Sequence, residues 1–437
     1  MSDATSYARR VAYARPGGRR NLYQGGMELA ILHPSFGAVG GAEVLAAAEA
    51  HALRADGVDA RIVTASVDAA RWRDALDGIP VARYRQRTIG DAVAWTTVAR
   101  LRMQARRARA LLGGADVVIA HNHPCNALLG AMRLDAVRLW QVNEPSRALH
   151  LVETSPMLAA RARALGAAAP EWVTRQFATR LASWERRVAR GGDVGARRRF
   201  DMTMTARLDG LYAISEYSRA MARRIYGRCD ATIVYPSVRE PAGAMPVRRG
   251  IRHAGIQVLV QSRLEPVKNV ETVLRGFASF AHGRTGSHLH VVGEGSDGER
   301  LRALAAEVAP GAVTFHGFVD TATLETVTAA CDVFALLPVD EPFGMVFTEA
   351  MVRGLLCIGP DHGGPSEILD GGALGWTVDA FAPEALAATL EAIATMNNGE
   401  ADRRRAAAIA SVQGRFSDAA MMVSLRRVLR EHGVEAC

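Results

Sequence analysis

The sequence predicts an α/β protein of two doubly wound parallel-sheet domains facing one another across a cleft. Three observations predict it. At 437 residues the chain exceeds what one hydrophobic core usually organises. Short continuous apolar runs alternate with helical stretches through both halves, the pattern of a parallel sheet covered on both faces. Between the halves, residues 231–255 (ATIVYPSVREPAGAMPVRRGIRHAG) concentrate Pro and Gly, as a domain linker does.

Residues 1–26 are polar, arginine-rich and aperiodic, and read as a disordered leader, with Met27 a candidate natural start. In the first domain (27–240) the apolar runs 28–33, 60–65, 117–121, 139–142, 211–214 and 232–235 are the expected strands. Helical stretches lie between them, such as 42–54, where apolar residues recur at i, i+3 and i+4. Residues 151–207 break the alternation, being helical throughout. They carry Arg175, Arg180, Arg186, Arg187, Arg190 and Arg197–Arg199 interleaved with Trp172, Phe177 and Trp184. Such a segment either lies on an anionic membrane surface, giving peripheral contact through 175–199, or is a solvated helix with its aromatics packed inward.

The second domain (250–412) repeats the scheme. Strands are expected at 257–261, 289–292, 313–315, 333–337, 355–358 and 376–378, and helices at 270–282, 298–308, 323–331, 345–353 and 383–395. The remainder, 413–437, holds an amphipathic helix near 419–430 that can pack back on the first domain. Ligands of such sheets bind at the carboxyl ends of the strands.

The bulk composition excludes several classes. Hydrophobic residues are 49% and charged residues 22%, ordinary for a globular protein, and no run approaches the length of a membrane helix. No apolar signal segment follows the N-terminal arginines, so a cytoplasmic location is expected, with any membrane contact peripheral at the inner face. The five cysteines (Cys125, Cys229, Cys331, Cys357, Cys437) have neither disulfide-framework nor metal-ligand spacing. A net charge of +8 favours anionic partners, yet no nucleic-acid-binding module accompanies it. Of the 53 basic residues all but Lys268 are arginine. A compact ammonium retained in so arginine-biased a chain points to a place where a guanidinium does not fit.

Two blocks carry chemistry. In EPFGMVFTEA (341–350), after the apolar run VFALLP, Glu341 sits in a loop and Glu349 in the following helix among Met345, Val346, Phe347 and Met351. A carboxylate in apolar company needs hydrogen-bond donors, and vicinal sugar hydroxyls supply them. The exposed N–H groups at Gly344 and Met345 suit phosphate or sugar oxygens. Taken singly, Glu341 reads equally as a complement to the helix dipole and Glu349 as half of a buried pair with an arginine. In QSRLEPVKN (261–269), Arg263 and Lys268 straddle a Pro-containing turn at a strand end, where two cations can stabilise a departing diphosphate. They would do the work of a metal, and no Asp-x-Asp metal motif is present.

EPFGMVFTEA resembles the E-x7-E motif of the family 4 glycosyltransferases, retaining enzymes of the two-domain, Rossmann-like GT-B fold, and with QSRLEPVKN the resemblance extends over nearly the whole chain after residue 27. It implies a hexosyl transfer from a nucleotide diphosphate sugar to a hydroxyl acceptor, without metal or other cofactor. The acceptor would be a glycan, a lipid-linked sugar or a natural product. By this resemblance Arg263 and Lys268 hold the diphosphate, Glu341 and the backbone of Phe343, Gly344 and Met345 contact the sugar, and Glu349 holds the ribose. FHGFVD (315–320) matches the base-binding stretch at Val319, VVGEGSD matches a glycine turn at Gly293 and Gly295, and SFGAVGGAEV (35–44) matches the family's phosphate-side glycine loop at Gly40 and Gly41. AHNHP places His121, a catalytic candidate, and His123 past a strand end. WQVNEPSR places Asn143 and Glu144 on the acceptor side, Asn143 standing where several relatives carry histidine. The same fold carries sugar-nucleotide epimerases and phosphorylases, which remain alternatives; a non-catalytic sugar-binding role would need neither the cations nor the second glutamate.

Overall fold

A computed structural model describes residues 26–37, 40–84, 98–190, 193–228, 231–238, 250 and 255–434. The expected leader, apart from Gly26, and most of the expected linker lie outside the described residues, as do Cys229 and Cys437.

The first sheet comprises β1 (Glu28–His33), β2 (Asp59–Thr64), β3 (Val81–Arg83), β4 (Val117–His121), β5 (Val137–Val142), β6 (Gly210–Ala213) and β7 (Thr232–Ile233), in the order β3-β2-β1-β4-β5-β6-β7. The second comprises β8 (Gln257–Gln261), β9 (His288–Val292), β10 (Val313–Gly317), β11 (Val333–Ala335), β12 (Leu356–Pro360) and β13 (Trp376–Val378), in the order β10-β9-β8-β11-β12-β13. Every strand pair is parallel. In each sheet the order reverses beside the first strand, creating the switch point at which doubly wound sheets hold ligands. The two domains are therefore Rossmann-like, as expected.

Elements not anticipated from the sequence include an edge strand, the short helix Gly363–Ile368 and a long helix near the C-terminus. Edge strand β3 is three residues long, too short to establish a pattern. The helix Asn398–Arg415 buries Ala401, Arg405, Ala408 and Val412, a stripe of mostly small side chains that hardly registers as apolar periodicity. Its start is capped by the Asn397 side chain, which accepts from Glu400 N–H.

The helical region holds Leu151–Thr154, Pro156–Leu165, Trp172–Ala189 and Asp193–Thr205. Leu158, Ala162, Phe177 and Leu181 join the apolar cluster of the second domain, although the chain supplies them from the first. Arg161 lies 4.2 Å from the Phe381 ring centroid, and Arg300 lies 5.0 Å from that of Trp172. The interleaved aromatics face protein: Phe177 is buried and Trp184 donates its indole N–H to the Ala148 carbonyl at 3.1 Å. Among the described residues no helix is long and apolar enough to cross a membrane.

The last helix, Asp418–Glu431, returns to the first domain. Met421, Leu425, Val428 and Leu429 pack with Leu29, Ile31 and Leu53, and Arg426 pairs with Asp56. Where the chain crosses back, Val238 N–H donates to the Phe416 carbonyl at 2.7 Å, and the Tyr235, Phe343 and Phe416 rings cluster around it.

Candidate functional site

The domains enclose a cleft of about 1390 Å³ at the carboxyl ends of both sheets. Its second-domain wall is built by loops that follow strands. After β8 the chain runs through Arg263 into a short 3-10 turn, Pro266–Lys268. After β11 it runs through Asp340 and Glu341 to Gly344, which adopts a φ of +93° and starts the helix Met345–Val352. That helix therefore aims its N-terminus, with its unpaired N–H groups, into the cleft.

Lys268 Nζ donates to Glu341 Oε2 at 2.6 Å. Burial would raise the Glu341 carboxyl, but Lys268, with Arg147 and Arg263 beside it, holds it below the usual carboxylate range. Glu349 has the opposite balance: burial raises it, and Arg353 and a 3.2 Å hydrogen bond from Gln261 only partly offset that. One glutamate is thus kept ionised by cations and the other is left short of donors. This contrast is what the two need if one meets a charged centre and the other neutral hydroxyls.

Of the expected second-domain residues, Arg263, Lys268, Gly293, Val319, Glu341, Phe343, Gly344, Met345 and Glu349 all line this cleft. Gly293 is required by packing: its φ is +125° and a Cβ there would fall 1.9 Å from the Ser262 carbonyl oxygen, on the loop that carries Arg263. Gly364 works likewise beneath the other loop, where a Cβ would fall 2.3 Å from Phe343 Cα.

From the first domain Gly40, Gly41, His123, Asn143 and Glu144 line the opposite wall. Gly41 approaches the second domain closely, a Cβ there standing 3.6 Å from Met345 Sδ. His123 is held by Asp201, whose Oδ1 lies 3.2 Å from Nδ1. Asp201 also accepts from Asn126 and Tyr226 and lies 2.9 Å from His150 Nε2; although burial opposes it, His123 and His150 keep its carboxyl well below the usual range. Asn143 donates to Asn122 at 3.0 Å. Glu144 pairs with Arg147 yet is raised by burial.

His121 is a correction. It is fully buried and does not line the cleft. As the last residue of β4 its side chain turns under the sheet, placing Nε2 3.3 Å from Glu49 Oε2. Glu49 is itself buried and accepts from Tyr212 at 2.6 Å and Gln141 at 2.7 Å. β4 ends at His121, so His123 lies beyond the strand, on the loop that reaches the cleft.

Several cleft residues escaped the sequence reading. Arg147 donates across the cleft to the Asp340 carbonyl at 3.2 Å, and its i, i+3 spacing from Glu144 was the available signal. Phe318, 74% exposed, projects beside Val319. Arg71 and Gln176 lie on the first-domain rim with nothing in their local pattern to mark them, beside Arg180, which the sequence offered only as part of the basic helical segment.

Residues 243–410 match the family model of Glycosyl transferases group 1. The mannosylfructose-phosphate synthase of Agrobacterium fabrum is 30% identical over 156 residues, 33% of this chain and 34% of that protein. The matched segments span between 34% and 47% of the curated relatives' lengths, so the chain aligns with less than half of each. Among solved structures, the sucrose-phosphate synthase of Thermosynechococcus elongatus superposes with a TM-score of 0.66 at 17% identity, covering 93% of this chain and 98% of that one. Anabaena HepE in complex with UDP-glucose superposes at 0.65 and 16% identity, covering 93% and 100%. At such identities the superpositions speak to fold. Residues 243–410, the second Rossmann-like domain, thus match the group 1 glycosyl transferase model, and the two facing domains together have the GT-B architecture.

Proposed function

We propose that the protein is a retaining, metal-independent glycosyltransferase that moves a hexose from a nucleotide diphosphate to a hydroxyl acceptor. The observation that carries this reading is the Lys268–Glu341 pair, 2.6 Å apart in the cleft and facing the start of the Met345–Val352 helix. In this reading the diphosphate takes Glu341's place at Lys268, with Arg263 as second cation. Glu341, released, accepts from the transferred sugar; Glu349 accepts from the ribose; the loop at Phe318–Val319 meets the base. His123, Asn143 and Glu144 face the acceptor.

The acceptor oxygen attacks the anomeric carbon on the face the diphosphate leaves. The glycosidic bond forms as the sugar–phosphate bond breaks, and the acceptor proton passes to the departing phosphate oxygen. Lys268 and Arg263 stabilise the charge that develops there, as fixed cations aimed at a leaving group do. A trapped covalent glycosyl-enzyme would sink this mechanism.

The test is thermal unfolding with UDP, GDP, ADP and dTDP in turn, in EDTA, followed by transfer assays with the matching donor sugars. One nucleotide should raise Tm, and Lys268→Ala should lose that shift together with roughly 10²–10³ in kcat. Lys268→Arg should not restore it, because a planar fork does not replace a point charge. Transfer that stops in EDTA and returns with magnesium would overturn the metal-independent reading. Arg175, Arg180, Arg186 and Arg187, all exposed on the Trp172–Ala189 helix, support peripheral contact with an anionic surface, and failure to co-sediment with anionic vesicles at low salt would remove that part.

A further inference from the structure

Away from the cleft walls, the second sheet carries three histidines on one face near its edge: His288 and His290 on β9 and His316 on β10. All three are partly exposed. His316 sits at a register shift between Phe315 and Gly317, so it is the extra residue of a β-bulge, and bulges re-aim side chains. Here the result is that His290 Nδ1 and His316 Nε2 stand 3.1 Å apart, with their rings stacked.

The hydrogen bonds behind this pair fix its chemistry. The Gln257 amide N–H donates to the Gly286 carbonyl at 2.8 Å, and a carbonyl can only accept, so the orientation of that amide is set. Its oxygen then faces His290 Nε2 at 3.2 Å, and an oxygen there requires that Nε2 carry the proton. Nδ1 of His290 is left with its lone pair, directed at His316. This is the arrangement in which an outer partner fixes the tautomer of a metal-ligating imidazole. Two imidazole nitrogens on one tetrahedral ion, at about 2.0–2.1 Å each, lie about 3.3 Å apart, close to the spacing observed. His288 is turned aside, with Nε2 2.8 Å from the Thr314 hydroxyl.

We propose that His290 and His316 chelate a borderline transition-metal ion of the zinc, nickel or copper(II) class, with Gln257 as the residue that presents His290. Among the described residues no group of three or more protein ligands is assembled, so water completes the coordination. Imidazole pairs select such ions over magnesium or calcium. The ion displaces the proton shared between the rings and ties β10 to β9. It thereby anchors the chain immediately before Gly317–Val319, the loop that enters the cleft. The site is separate from the donor chemistry proposed above and does not depend on it.

Isothermal titration of the full-length protein with zinc chloride tests this. One saturable site is expected, absent with magnesium, lost in His316→Ala, weakened roughly 10–100-fold in Gln257→Leu and unchanged in His51→Ala, an exposed histidine elsewhere. Melting curves of the zinc-free variants establish that each is folded. Zinc binding that survives His316→Ala in a folded protein, or no saturable binding by the native chain, overturns the proposal and leaves the pair a simple hydrogen bond.

Discussion

Asp340, the residue before Glu341, is a point at which hydrogen bonds join the two domains. It is fully buried, with a φ of +55° that a non-glycine residue adopts only under constraint. Its carboxylate accepts from the N–H groups of Met157 and Leu158 at 3.1 and 3.0 Å, at the start of the Pro156–Leu165 helix, and from the Tyr217 hydroxyl at 2.6 Å. The hydroxyl is pushed well above the ordinary tyrosine range, first by burial and then by Asp340, so it stays a donor. Tyr217→Phe removes that one bond while keeping the ring. A hydrogen bond to a charged group contributes about 1.5–3 kcal/mol, and the variant should lose that much in urea denaturation. Asp340→Asn forfeits the charge at all three bonds and should lose more. The double variant should cost less than the sum, because the two residues share an interaction. A Tyr217→Phe stability within about 0.5 kcal/mol of the native chain, or strict additivity with Asp340→Asn, would refute the idea that this contact holds the cleft loop.

Three further outcomes follow from the geometry. Gly364→Ala should cost about 1–3 kcal/mol by pressing on Phe343, and should weaken nucleotide binding with it. Gly414→Ala, in an exposed helix position with nothing within 4 Å, should instead stabilise by up to about 1 kcal/mol; equal melting temperatures for the two would refute the packing argument. Glu349→Gln should weaken the preferred ribonucleoside diphosphate by roughly 10–100-fold and its 2′,3′-dideoxy analogue far less, as calorimetry would show; equal losses for both would place Glu349 away from the ribose. His33 is lowered to about 3 by burial and by His121, so the folded protein keeps it neutral while the unfolded chain protonates it below pH 6.5. The unfolded state then binds the extra proton, and stability, fully present above pH 6.5, falls as pH drops toward 3. Between pH 7 and 5 the loss should be about 2 kcal/mol. His33→Gln should flatten that slope; an unchanged slope would assign it to other groups.

The parallel sheets were legible because buried strands such as β1 and β8 are continuous apolar runs, and the spacing between them sets the crossovers. The second-domain wall was legible for a related reason: Arg263, Lys268, Glu341 and Glu349 lie in two contiguous segments, so local sequence keeps them together. The first-domain wall was less so. His121 and His123 are two residues apart, yet one is under the sheet and one in the cleft, a difference set by where β4 ends. Arg71 and Gln176 reach the cleft through tertiary placement alone. Glu49 gives no sign in its helix that it is buried, because the partners that permit it, Gln141 and Tyr212, come from β5 and β6.

The helices between Leu151 and Ala189 have a consequence for anyone recombining proteins of this architecture. They are encoded with the first domain, yet Leu158, Phe177 and Leu181 pack into the second domain's apolar cluster and the start of one helix holds Asp340. A chimera cut at the linker would set these side chains against a foreign surface and deprive Asp340 of its donors. The modular unit for exchange is therefore discontinuous in the gene: the second domain together with residues 151–189, grafted as a pair. A fusion that swaps only the C-terminal half inherits a mismatched seam where the cleft is built.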